Sequence, residues 1–228
     1  MKLSDELAFL KERIGVLLQD NFYPMTHLSI LWHHLDKKAK DIVDIGCGKG
    51  RVIRFLGRCG WKGTAVGVDI YKPYILFVKK EKIYDDIILC DLRYLPFSEK
   101  TFDLVMMIWV LEHLEKEDGL AILTQLDRLA KKQIAVLTSV GYLPQEKLNG
   151  NIFQEHRSGW QPWEFRKRGY QVYGVSGTKS IYTHIIRRTR MGWDLLSRLF
   201  LLFLCILTQP LIYTKPEIAT LMLCFRNR

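Results

Sequence analysis

Asp41-Ile42-Val43-Asp44-Ile45-Gly46-Cys47-Gly48-Lys49-Gly50-Arg51 is the stretch whose reading decides the fold. It begins as a short β-branched run, the composition of a buried strand, and breaks abruptly into three glycines at alternate positions. Without a Cβ, glycine turns sharply at positive φ and lets the backbone approach a ligand, which suits a passage from strand into helix around a bound group. Directly after the turn, Val52, Phe55, Leu56 and Cys59 recur at i, i+3, i+4 and i+7, while Arg51, Arg54 and Arg58 take the other face. That period is helical. The unit is strand, tight turn, helix.

Working outward, the same alternation continues. Apolar runs predict strands near 64–68, 86–90, 102–108 and 133–139, and helices fit the gaps, for example 116–131 with Leu120, Leu123, Leu126 and Ala130 inward. Strands that are apolar almost throughout and separated by helices indicate a parallel sheet covered on both faces, hence a doubly wound α/β fold. Upstream, a helix around 25–39 follows an amphipathic one over 3–18, so residues 1–40 read as a helical cover. Residues 41–228 read as one α/β domain. Downstream come a short helix around 162–168, a strand at 170–175, a helical insertion over 178–216 and a last strand at 218–225.

With 228 residues, 48% hydrophobic and 25% charged, the chain can bury a sizeable core, and global disorder is excluded. Its formal net charge of +10 is concentrated near the C-terminus, where residues 178–228 carry eight Lys/Arg against two Asp/Glu. Such a balance favours anionic partners: nucleic acid, lipid headgroups or phosphorylated metabolites. The five cysteines, 47, 59, 90, 205 and 224, lie far apart and form no Cys-x-x-Cys pair, as expected of reduced thiols. No metal site is expected. The N-terminal Met1-Lys2-Leu3-Ser4-Asp5-Glu6 lacks the pattern of a secretory signal, so a cytoplasmic location is expected.

A dinucleotide loop of the G-x-G-x-x-G type would place its third glycine at position 51, but the chain has Gly50 and then Arg51. Asp44 moreover puts a carboxylate at the strand end, where it would repel a pyrophosphate and attract a cationic amino group. Both features speak against an NAD-dependent oxidoreductase. Val43 to Gly50 resembles instead the first motif of class I S-adenosylmethionine (SAM)-dependent methyltransferases, specifically the type 11-like, small-molecule branch, and the resemblance extends through roughly residues 40–140. It implies a Rossmann-like, doubly wound, mostly parallel seven-stranded sheet with a terminal antiparallel strand. It also implies that Asp44, Gly46 and Gly48 hold the methionyl end of SAM, with Cys47 and Gly50 also among the cofactor-binding residues. Asp69, which ends the second strand, would accept the ribose hydroxyls. Asp91 would bond the adenine amino group between Ile70 and Leu92. The segment Trp109-Val110-Leu111-Glu112-His113-Leu114 is similar to the family's Leu-Glu-His segment, with Trp109 lining the cofactor pocket.

Methyl transfer from a sulfonium is an in-line displacement, so alignment alone can supply much of the acceleration and no general base is strictly required. If the acceptor must lose a proton, His113 is a candidate, since it follows the fourth strand and an unperturbed imidazole titrates near 6.5. His156 is a second, in Glu155-His156-Arg157-Ser158-Gly159-Trp160, a run within the acceptor-side segment 141–165 that joins a titratable ring, a bidentate cation and an aromatic surface. The apolar run Leu199 to Leu207 is too short to span a bilayer. Residues 191–213 read as a helix buried on the domain, a homodimer contact, or an interfacial helix held on a membrane by its apolar face and by Arg187, Arg188, Arg190 and Arg198. A small-molecule or lipid-like acceptor follows most directly. RNA methylation and a non-catalytic SAM-binding or interaction role are the alternatives.

Overall fold

In the computed structural model, residues 27–147, 150–178 and 195–228 are described. The helix expected over 3–18 and the cluster Arg187, Arg188 and Arg190 lie outside them. Seven strands form one sheet in the order 3-2-1-4-5-7-6: β1 (Asp41–Ile45), β2 (Thr64–Asp69), β3 (Asp86–Leu89), β4 (Phe102–Ile108), β5 (Ala130–Ser139), β6 (Gln171–Thr178) and β7 (Ala219–Asn227). All run parallel except β7, which slots between β5 and β6 and pairs antiparallel with both. The helices are α1 (His27–His34), α2 (Arg51–Arg58), α3 (Lys72–Lys80), α4 (Lys116–Leu129), α5 (Pro162–Lys167) and α6 (Leu195–Thr214).

The two-residue period of the strands divides the core between the two faces of the sheet. In β4, Val105 and Met107 join one buried cluster with Ile122 and Leu126 of α4, while Leu104, Met106 and Ile108 join the other with Phe55 and Leu56 of α2. Every residue of β4 is buried, which is why it reads as an unbroken apolar run. The chain order reverses between β1 and β4, and the crevice beyond their C-terminal ends is where open α/β sheets bind ligands.

Boundaries differ from the periodicity in several places: the helix expected around 25–39 ends at His34, and the last strand runs on to Asn227. Helix α4 stops at Leu129, and Ala130 opens β5 three residues ahead of the expected start, because it pairs with Phe102 and is fully buried. Strand β6 continues past 175 to Thr178 through a register shift, with Ser176 at φ +67°. The C-terminal half of α6 packs on β6: Ile212 is buried, and the Gln209 side-chain amide donates to the Gly174 carbonyl at 2.8 Å. A Cβ on Gly174 would overlap the Ile212 carbonyl, so that glycine sets how closely helix and strand approach. Phe203, Leu207 and Leu211, one helical turn apart, face solvent. Among the described residues no helix is long and apolar enough to cross a membrane.

Candidate active site

The glycine turn is tied to the end of β2. The N–H groups of Gly46 and Cys47 both donate to the Val68 carbonyl, and Gly48 N–H donates to Asp69 Oδ2 at 2.8 Å. The other oxygen of Asp69 accepts from Tyr71 N–H, which fixes the carboxylate at the strand end with lone pairs to spare. Gly46 and Gly50 adopt φ of +73° and +71°, and a Cβ on either would collide, with Val110 and Ile83 respectively; above Gly48 there is open space. Gly48 is therefore the point where a ligand can lie on the backbone. Gly50, expected at the ligand, is the residue that starts α2, next to Lys49 and Arg51, which line the cavity.

Asp44 is only 2% exposed, and the Tyr84 hydroxyl donates to its Oδ2 at 2.7 Å. Burial pushes the carboxyl up to about 6, against the lowering effect of the tyrosine. Tyr84 reaches it because Gly67 presents no Cβ to the ring that crosses it. Nothing in the local pattern around residue 84 announces this partner. Asp91 caps the turn Leu92–Tyr94 through Arg93 N–H and also accepts from the Arg93 guanidinium, Nη2 at 2.6 Å. That hydrogen-bonded cation holds its carboxyl below the usual range. Asp91 is thus both the helix cap and a cavity residue.

These groups share one cavity of about 510 Å³, into which Asp44, Gly46, Cys47, Gly48, Asp69, Ile70, Asp91, Leu92 and Trp109 all face. Trp109 adopts φ +58°, a left-handed conformation that a bulky residue holds only when its surroundings impose it. Its N–H is bonded to Leu137 and its ring packs against His27 and the Arg51 guanidinium. A second cavity of about 560 Å³ lies across Trp109 and shares Arg51, His113 and Gln154 with the first.

Glu112, His113 and His156 line this second cavity. Glu112 is buried and accepts from the Thr138 hydroxyl at 2.8 Å, and burial pushes its carboxyl up to about 7. Burial likewise lowers His113 to about 4 and lowers His156. Both imidazoles are therefore neutral at pH 7. The sequence singles out the histidines but not Glu112, whose role depends on being buried beside them. The segment carrying His156 docks on the Glu112 turn: the Glu112 carbonyl accepts from the N–H groups of Arg157 and Ser158. Trp160, expected to offer an aromatic surface on the acceptor side, is fully buried, with its indole N–H on Ser158 Oγ and the Lys116 ammonium 3.5 Å from its ring centroid. Its place is opened by Gly119, where a Cβ would meet the ring at 2.5 Å. The tryptophan anchors the loop rather than facing an acceptor.

Residues 43–137 match the family described as a methyltransferase domain. The ubiquinone biosynthesis O-methyltransferase of Rickettsia typhi is 25% identical over 154 residues, which cover 65% of this chain. The match spans 61% of that relative's length. Among solved structures, a SAM-dependent methyltransferase from Archaeoglobus fulgidus has a TM-score of 0.55 at 16% identity, covering 87% of this chain and 90% of its own. The plantazolicin methyltransferase BpumL, solved with SAH, has a TM-score of 0.55 at 16% identity, covering 98% of this chain and 89% of its own. At such identity the structural likeness carries the fold, and the family match carries the domain. Residues 43–137 match a methyltransferase domain, and the chain has the fold of SAM-dependent methyltransferases of known structure.

Proposed function

We propose that this chain transfers a methyl group from SAM to a hydroxyl oxygen of a small, lipid-like acceptor. The observation that carries the reading is the convergence of Asp44, Asp69 and Asp91, from the ends of three adjacent strands, on one cavity that opens past Trp109 onto a second. The residues present fit the donor. Asp44 offers a buried carboxylate to the methionyl ammonium, Asp69 keeps acceptor lone pairs for the ribose hydroxyls, and Gly48 leaves the backbone bare. Asp91, flanked by Ile70 and Leu92, serves the adenine amino group, sharing its carboxylate with Arg93.

When bound, SAM supplies an electrophilic methyl on a sulfonium. The protein's part is alignment, holding the acceptor in the second cavity and excluding water. His113 and His156, both neutral, face that cavity with a lone pair each; they orient the acceptor hydroxyl, and one of these lone pairs takes its proton as the methyl passes from sulfur to oxygen. An oxygen acceptor is supported by the Rickettsia relative, named as an O-methyltransferase. A lipid-like one is supported by the exposed row Phe203, Leu207 and Leu211, which together with the basic residues nearby in sequence suits a peripheral contact with an anionic membrane over residues 191–213.

Calorimetry with SAM and with NAD tests the donor site; preference for NAD overturns it. Asp69→Ala is expected to weaken SAM about 10- to 100-fold, the worth of a hydrogen bond to a charged group. Incubation with methyl-labelled SAM and fractionated cell extract tests the acceptor. Label is expected in the lipid or small-molecule fraction. Label in RNA would make the chain an RNA methyltransferase, and binding without transfer would make it a SAM-binding protein.

A further inference from the structure

We propose that Glu112, His113 and His156 form a site for one divalent transition-metal ion, with a coordination position open to the second cavity. One ligand atom from each of the three residues can be chosen so that all lie within 4.8 Å of one another. Metal–ligand bonds of about 2.1 Å put tetrahedral ligands roughly 3.4 Å apart, so small side-chain rotations close the site.

The tautomers are set by the hydrogen bonds. His113 Nδ1 lies 3.1 Å from the Glu155 carbonyl, and His156 Nδ1 lies 2.6 Å from the Leu143 carbonyl. A carbonyl only accepts, so each Nδ1 carries the proton and each Nε2 keeps its lone pair. A backbone carbonyl holding the far nitrogen is the usual support of a metal-bound histidine. The two ring centroids stand 4.8 Å apart at 66°, a T-shaped arrangement that leaves the rings unstacked. Glu112, held by Thr138, places a carboxylate in a buried position where a cation would compensate its charge.

Two imidazoles and one carboxylate make a borderline donor set that selects zinc, cobalt or iron(II) over magnesium and calcium, which prefer all-oxygen shells. Three protein ligands with a vacant fourth position describe a catalytic rather than a structural site. The vacant position would take an oxygen donor, water or the acceptor hydroxyl. That last role rests on the methyl-transfer reading; metal binding itself does not. In the metal-loaded protein the two Nε2 lone pairs hold the ion instead of accepting a hydrogen bond from the acceptor.

The test is titration of chelator-treated full-length protein with Zn2+ by calorimetry and with Co2+ by visible absorption, with Mg2+ as comparison. One equivalent of Zn2+ or Co2+ per chain is expected, with Mg2+ binding far more weakly. His156→Ala and, independently, Glu112→Gln should each weaken binding at least 10-fold, while His33→Ala, a change at an exposed histidine, should not. SAM binding, measured on the same samples, reports whether each variant is folded and whether the donor site exists. Absence of a saturable equivalent in the wild type, or wild-type binding by a folded His156→Ala protein, overturns the proposal. Loss of SAM binding in the wild type would sink the methyltransferase reading while leaving the metal site standing.

Discussion

At the residue scale, the binding role proposed for Asp44 is set against stability. Burial pushes its carboxyl up to about 6, from the 3.8 of a free aspartate side chain. Between those values the folded state holds more protons than the unfolded one. Stability therefore falls as pH rises through that window, by about 3 kcal/mol when the carboxylate is fully ionised. Urea melts of the ligand-free protein at pH 4.5 and 7.5 should show this loss. Glu112 contributes in the same direction up to about 7, so comparison with Asp44→Asn isolates the aspartate's share. That variant should be more stable than wild type at pH 7.5 by up to about 3 kcal/mol and should bind SAM more weakly. Asp44 is legible from sequence because a carboxylate two residues before a glycine turn is a local pattern. Its partner Tyr84 arrives from the far side of β2, and only the fold brings it there.

At the scale of elements, two glycines in helices differ in consequence although both look like ordinary helix-weakening residues in sequence. Gly57 in α2 has open space around its Cβ position, so Gly57→Ala should raise stability by about 0.5–1 kcal/mol. Gly119 in α4 lies against Trp160 at a position where a Cβ would stand 2.5 Å from the ring. The same propensity gain in Gly119→Ala is outweighed by about 1–3 kcal/mol of overpacking, and the variant should melt lower than wild type. Thermal melts of both proteins check the opposite signs. The contrast explains why the Glu155-to-Trp160 run was readable as important but misleading in detail. Its tryptophan is the wedge that fixes the loop, and the loop in turn holds His156 beside His113.

At the scale of the whole molecule, α6 places one apolar face on β6 and turns Phe203, Leu207 and Leu211 outward. With a formal charge of +10, the chain should co-sediment with vesicles containing anionic phospholipid at low salt and be released as ionic strength rises. Leu207→Ser should weaken this association. Equal recovery with neutral vesicles, or no sedimentation, would exclude an anionic membrane as the surface that meets α6.

The seven strands, the parallel sheet and the three carboxylates at the strand ends were written locally, because strand period, glycine turns and helical faces arise from sterics and burial among near neighbours. The resemblance to a methyltransferase family let Asp44, Asp69 and Asp91 be named before any contact was known. Whether β7 sits inside the sheet or at its edge, how Tyr84 meets Asp44, and how Glu112, His113 and His156 come together could not be read in this way. Those meetings join segments far apart in the chain, and the shifted protonation of Asp44 and Glu112 follows from burial, which no local pattern encodes.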